Sequence, residues 1–334
     1  MNFLQTGYKG KNESWMYVVM FFIVFLGSTL GQIPITIKAF IASGKDMQKF
    51  AESGQNSFAD LGIDSNLYLF LILLSFIIPL LLFIPLVKSI HKKKIRWIIT
   101  SRKKIDWSRF FFGIFIWGLV TIFFLGSDIL LSPEKYVWNF KPIPFFTLCF
   151  VAIVFMPLQT SLEELLFRGY YMQGLALWIK NKWAPLIIMS VVFGLLHGLN
   201  PEIEKLGYIA LVFYIGTGFF FGIVTLMDDG IELAMGMHAV NNILAALFVT
   251  TDWTVFQTEA LFIDVSEPSL GVEMFLPVVV LYPIVFLIFS TIIFFENILS
   301  IFFLYHIFRY IRTANSSLDE IIWKLYRLVL KQKQ

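Results

Sequence analysis

Cysteine is almost absent from this 334-residue chain. Cys149 stands alone in an apolar run, which excludes intramolecular disulfides and cysteine-based metal sites. Charge is scarce too: Asp, Glu, Lys and Arg make up 15% of residues, where soluble domains carry roughly 25%. Several hydrolase signatures are missing. There is no H-E-x-x-H, which argues against a zincin-type site, and no G-x-S-x-G, which excludes a serine elbow. Gly216-Thr217-Gly218 is followed by Phe219 rather than an aspartate, so an aspartyl G-x-G-D site is excluded as well. Asn200-Pro201 has no second copy of the kind an aquaporin pair requires, and no internal repeat or low-complexity segment stands out.

What fills the chain instead is apolar surface. Hydrophobic residues reach 58% and aromatic ones 18%, with 38 phenylalanines and a mean hydropathy of +0.77. No soluble domain of this length buries that much, so the chain is expected to be an integral membrane protein. Eight uncharged runs are long enough to approach the ~20 residues a span needs: Ser14–Ile37, Ser65–Val87, Phe110–Ser127, Pro142–Leu162, Trp183–Pro201, Leu206–Met227, Leu233–Thr251 and Met274–Phe295. A spanning segment must satisfy its backbone polar groups internally, which makes these runs helices. The expected fold class is therefore all-α, a polytopic helical bundle of about eight transmembrane helices. The first run follows Lys9 and Lys11 but exceeds the length of a signal-peptide core, so it reads as a retained anchor.

The cations set an orientation. Lys88, Lys92, Lys93, Lys94, Arg96, Arg102, Lys103, Lys104 and Arg109 crowd the connection after the second run, which the positive-inside rule makes cytoplasmic. Alternation then gives nineteen cytoplasmic cations against six outside, with both termini inside. Beside a membrane such a loop is topogenic or lipid-facing rather than nucleic-acid binding. The Lys-, Asn-, Ile- and Phe-rich composition points to a bacterial cytoplasmic membrane. Apolar residues at Leu318, Ile321, Ile322, Leu325, Leu328 and Val329, interleaved with Lys324, Arg327 and Lys331, predict an amphipathic tail helix on the inner leaflet. The chain thus divides into residues 1–141, a three-span region; 142–251, a core; 252–273, an acidic external loop to which no chemistry is assigned; and 274–334, the last span and basic tail.

Ionisable groups inside this sequence need a reason, because each costs at least ~2.5–3.5 kcal/mol to insert into hydrocarbon. Glu163, Glu164 and Arg168 sit at the end of the fourth run. Glu164 and Arg168 are four apart, acid before base, so a helix places them on one face where they neutralise each other. Glu163 is left over and suits a general base acting on water; the alternative is a structural knot of all three charges. On the fifth run Phe193 and His197 lie one turn apart, with Gly194 and Gly198 in small-xxx-small spacing for close helix approach. On the seventh, His238 and Asn242 share a face. The other two histidines, His91 and His306, fall outside these runs. Two carboxylates, two imidazoles, a carboxamide and a guanidinium suffice for peptide hydrolysis, with Glu163, His197 and His238 as an alternative zinc-ligand set.

These residues resemble a known family, the type II CAAX prenyl endopeptidases and their bacterial relatives, called CPBP or Abi. Its motifs EExxxR, FxxxH and HxxxN read here Glu163-Glu164-x-x-x-Arg168, Phe193-x-x-x-His197 and His238-x-x-x-Asn242, in order and intact within about Pro142–Thr250. The resemblance implies a glutamate-dependent intramembrane endopeptidase acting on a membrane-associated peptide or protein. In that reading Glu163 activates water with His197, His238 and Asn242 stabilise the oxyanion, and Glu164 with Arg168 supports the site. The family is often labelled metalloprotease, yet the reaction needs no cofactor when drawn with glutamate and water alone. A non-catalytic scaffold or bacteriocin-immunity protein of the same fold is the alternative, and a transporter with a proton relay the third. From the eight-span topology, Glu163 is expected at the inner end of its span, whereas His197, fifteen residues past Lys182, is expected about 22 Å deep, so either the fifth helix is offset or the segment 169–182 dips into the bilayer.

Overall fold

A computed structural model describes residues 2–55, 58–181, 183–268 and 275–287; the expected amphipathic tail and the last part of the eighth run lie outside the described residues. The main unit covers residues 3–275, and residues 276–287 belong to a second unit, in which Pro277–Leu287 is a short apolar helix. The helices of the main unit are α1 (Ser14–Ala42), α2 (Met47–Gln55), α3 (Ser65–Ile90), α4 (Arg96–Ile99), α5 (Trp107–Leu131), α6 (Pro142–Glu164), α7 (Met172–Ile179), α8 (Trp183–Leu196), α9 (Pro201–Leu206), α10 (Leu211–Asp228) and α11 (Glu232–Phe248).

Local sequence explains several of the boundaries. Asp64 and Asp106 cap α3 and α5 by accepting from the backbone N–H groups of Leu67 and Ser108. Pro142 opens α6 at a position whose N–H would be unpaired in any case. The side chains of Phe22, Phe115 and Phe146 are 61%, 60% and 65% exposed on apolar helices, an outer face that suits lipid rather than water. Among the described residues five helical runs are long and apolar enough to cross a membrane: Ser14–Ala42, Ser65–Ile90, Trp107–Leu131, Pro142–Ile179 and Tyr208–Asp228. The chain is an all-α polytopic membrane protein. Its fifth and seventh apolar runs form the shorter α8 and α11.

The fourth run departs from expectation. It does not end near Glu164 but continues through a π-helical stretch, Leu165–Tyr171, into α7, so that Pro142–Ile179 is one 38-residue helical run. Met172 N–H bonds to Phe167 O, five residues back, as a π turn requires. The main core cluster gathers around this stretch. Leu162, Leu165, Leu166 and Tyr170 pack with Met20 of α1, Phe83 and Val87 of α3, Ile98 of α4, and Leu186 and Met189 of α8.

Helices pair as α1 with α3, α5 with α11, α8 with α10, and α6 with both α3 and α11. Glycine lets α8 and α10 approach closely. A Cβ on Gly218 would lie 2.7 Å from Ser190 O, and one on Gly194 would lie 2.7 Å from Ile215 N. Gly198, expected to share this role with Gly194, has nothing within 4 Å of a Cβ among the described residues, so the close approach rests on Gly194 against Ile215 and Gly218 against Ser190.

Three short strands, β1 (Tyr136–Trp138), β2 (Val249–Thr250) and β3 (Phe262–Asp264), form a sheet in the order β1-β3-β2, antiparallel on one side of β3 and parallel on the other. It ties the segment after α11 to the one before α6. Two cations of the basic connection are not free surface charges: Arg102 pairs with Asp228 at 3.1 Å and Glu232 at 3.3 Å, and Arg109 pairs with Asp228. Both acids are buried, so this network clamps the connection onto the α10–α11 turn.

A second polar knot joins the N-terminal segment to the same connection. Lys93, 2% exposed, donates to Gly7 O at 2.9 Å, Asn12 Oδ1 at 2.6 Å and Tyr17 OH at 3.3 Å. Burial among neutral groups lowers its pKa to about 8. Beside it His91 gives Nδ1–H to Lys11 O and accepts from Tyr170 OH at Nε2, and burial lowers its pKa too.

Candidate active site

Glu163 and Glu164 occupy the last turn of α6, and Arg168 follows in the π-helical stretch. Arg168 donates to Glu164 Oε1 at 2.9 Å, the bond that the i,i+4 spacing predicts. Glu164 is fully buried, and Glu163, Arg168 and His238 are 8%, 2% and 6% exposed, so all four charges or near-charges sit in the core. Arg168 is further held by Gly218 O at 3.3 Å and lies over the Phe193 ring, its Cζ 4.2 Å from the centroid. A guanidinium tolerates such burial when carboxylate, carbonyl and aromatic face all satisfy it.

His238, from α11, bridges the two carboxylates. Its Nδ1 is 2.8 Å from Glu164 Oε1 and its Nε2 is 3.6 Å from Glu163 Oε2. A carboxylate only accepts, so Nδ1 carries the proton given to Glu164. The ring stacks on Phe221, with centroids 5.0 Å apart. Asn242, one turn along α11, donates through Nδ2 to Gln159 Oε1 at 3.2 Å, and Gln159 in turn donates to Glu163 Oε1 at 2.6 Å. The second oxygens, Oε2 of Glu163 and of Glu164, are buried and accept no hydrogen bond among the described residues. Gln159 is absent from the candidates drawn from sequence. The available signal is a polar residue one turn before Glu163 on the same face of an apolar run.

His197 stands at the end of α8, in the turn His197–Leu199, and is half-buried. Its Nδ1–H donates to Phe193 O at 2.8 Å, which fixes the tautomer and leaves Nε2 with its lone pair. Phe193 is the link to the other groups, touching His197 with centroids 4.8 Å apart and His238 at 6.2 Å. No hydrogen bond or ion pair joins His197 to Glu163, Glu164 or His238 among the described residues. The expected mismatch in depth is removed by the long fourth helix. Glu163 lies roughly 20–25 Å from the Ile179 end of α7, and His197 about 21 Å from the Trp183 end of α8, at ~1.5 Å per residue or slightly less through the π turns. The two helices run back from the same short connection, and Phe167 of one touches Phe193 of the other, centroids 5.4 Å apart.

As zinc ligands, Glu163, His197 and His238 do not fit in this arrangement. No group of three or more His, Cys, Asp or Glu side chains gathers within metal-holding reach among the described residues. Glu163 and His238 lie side by side, but no hydrogen bond or ion pair brings His197 to either of them among the described residues. No step is therefore routed through a metal.

The fold and these groups define a polytopic α-helical membrane protein with a carboxylate–imidazole–guanidinium cluster buried between its core helices. Residues 142–244 match the family model described as type II CAAX prenyl endopeptidase Rce1-like, the family that the three motifs resemble. The chain is also similar to a Bacillus subtilis (strain 168) protein named "Uncharacterized protein YyaK". That relative is 29% identical over 249 residues, covering 74% of this chain and 82% of the relative. No solved structure matches the chain.

Proposed function

We propose that the chain is an intramembrane endopeptidase that hydrolyses a membrane-associated peptide or protein with water activated by Glu163. The observation that carries this is the asymmetric tethering of Glu163. Gln159 holds Oε1, while Oε2 is left without a bond and faces His238 Nε2. A carboxylate so held has one oxygen free to take the proton of an attacking water. The hydroxide adds to the scissile carbonyl carbon, and Glu163 returns the proton to the leaving amine. His238 serves the oxyanion as an imidazolium, since Nδ1–H is given to Glu164 and only a second proton makes Nε2 a donor. With that proton the buried cluster sums to zero charge, two carboxylates against Arg168 and His238. Asn242 Nδ2 exchanges Gln159 for the oxyanion, and His197 Nε2 orients the water. The cation-rich connection before α5 orients both termini to the cytoplasm.

The test uses purified full-length protein in proteoliposomes with a library of fluorescence-quenched peptides. Glu163→Gln, His197→Ala and His238→Ala are expected to lose cleavage while unfolding at temperatures close to that of the wild type. If the wild type cleaves nothing and the three variants fail to fold, the cluster is a packing device and the scaffold or immunity reading replaces this one.

A further inference from the structure

Behind His197 lies a second polar group that the proposed reaction does not use. Tyr214, on α10, stacks flat on the imidazole, with centroids 4.3 Å apart and planes at 18°. Its hydroxyl donates to Glu202 Oε1, and the Asn200 amide donates to the same oxygen at 3.0 Å. Glu202 Oε2 accepts the backbone N–H of Val255 at 3.2 Å. Glu202 is 7% exposed, and no cation pairs with it among the described residues. Three donors drawn from the α8–α9 turn, α10 and the segment after β2 thus converge on one buried carboxylate and tie those three segments together.

We propose that Tyr214 and Glu202 are positioning residues for His197, with Val255 N–H coupling the segment after β2 to the imidazole. Among the described residues His197 has one hydrogen bond, from Nδ1 to Phe193 O, which holds one edge of the ring and leaves its tilt about that bond to its neighbours. Tyr214 covers one face and removes that freedom. Tyr214 is itself immobilised by Glu202, and Glu202 by Asn200 and Val255. The chain of contacts therefore fixes the direction of the Nε2 lone pair. Side chains set in this way matter because a misplacement of about 1 Å costs on the order of 10²-fold in rate. The proposal rests on the reading of His197 as a group that orients water, but the position of the ring can be measured without any substrate.

The experiment uses the full chain with ¹⁵N-labelled histidine in detergent micelles, its ring signals assigned with His197→Gln. In the wild type, long-range ¹H–¹⁵N spectra are expected to show His197 as a single Nδ1–H tautomer. In Tyr214→Leu and Glu202→Gln the His197 signal is expected to shift or broaden as the ring loses its fixed orientation, with the Nδ1–H tautomer kept by Phe193 O, while the His91 and His238 signals stay in place, which controls for folding. Tyr214→Phe, which keeps the ring but loses the hydroxyl, should fall between wild type and Tyr214→Leu. In the peptide-library assay, Tyr214→Leu should lower kcat by roughly 10- to 100-fold with KM within about threefold. His197 spectra of Glu202→Gln and Tyr214→Leu that superimpose on the wild type would overturn the proposal, as would unchanged kcat in both. If the wild type cleaves no peptide, the peptidase reading fails, and the spectra alone still decide whether Tyr214 and Glu202 hold the ring.

Discussion

Gln159 donates to one oxygen of Glu163 at 2.6 Å, and Asn242 holds Gln159 from the neighbouring helix at 3.2 Å. Two of the candidate residues, on α6 and α11, are therefore joined through a third. Replacing Gln159 by Met keeps the volume and removes both bonds. Cleavage should fall on the order of 10–100-fold, against 10²–10⁴-fold or more for Glu163→Gln, which removes the base itself. Single-turnover kinetics in proteoliposomes distinguish the two, because Gln159→Met should retain slow turnover.

Arg168 should be far more sensitive to substitution than its surface counterparts. It is the cation that compensates the fully buried Glu164, and removal of one partner from a buried pair costs about 3–5 kcal/mol. Arg168→Met should lower the thermal unfolding midpoint in detergent sharply. Arg168→Lys should recover only part of the loss, since an ammonium cannot both reach Glu164 and lie flat over Phe193. Equal midpoints for Arg168→Lys and the wild type would show that only the charge matters.

Lys93 makes a prediction about pH. Its pKa is lowered to about 8 in the fold against 10.5 for the free side chain, so the unfolded chain binds the extra proton between those values. Stability should then rise as pH increases from about 8 to 10.5, by at most about 3 kcal/mol, and be flat in this respect below 8. Lys93→Met, lacking the titrating group, should remove that rise. Unfolding midpoints of both proteins across the range are the measurement.

The glycines separate cleanly. Gly194→Val and Gly218→Val force α8 away from α10 and should destabilise the protein, whereas Gly198→Ala meets nothing and should leave it unchanged within ~0.5 kcal/mol. Thermal unfolding of the three variants in detergent is the measurement. A comparable loss in Gly198→Ala would show that His197 depends on the backbone freedom of its neighbour.

Much of this is legible in the sequence because membrane burial makes charge conspicuous. The helical runs and the Glu164–Arg168 pair follow from apolar length and i,i+4 spacing, and the polar face of His238 and Asn242 needs partners that only another span can supply. What escapes is whatever carries no charge or breaks no pattern. Gln159 looks like an ordinary polar residue in a helix, and Tyr214 like one aromatic among many. The continuation of the fourth helix past Glu164 escapes for a related reason. Gly169 through Ile179 is apolar but short, so the sequence leaves open whether it dips into the bilayer or the fifth helix is offset. Gly198 matches a spacing rule, yet it lies in the turn past the end of α8, where a Cβ meets nothing within 4 Å among the described residues.

The π-helical stretch also sets the angular phase of the fourth helix. One residue in an α-helix turns the chain by about 100°, and a π turn accommodates roughly one more residue than an α turn does. The rows of side chains after Tyr171 are therefore rotated relative to those before Leu165. The helix can aim Glu163 and Glu164 at His238 of α11 and, further along, set Gln173 against Gly7 and Gly174 against Tyr17. Deleting a single residue from Leu165–Tyr171 would restore one continuous α-helical phase, and one of those two faces would then look the wrong way.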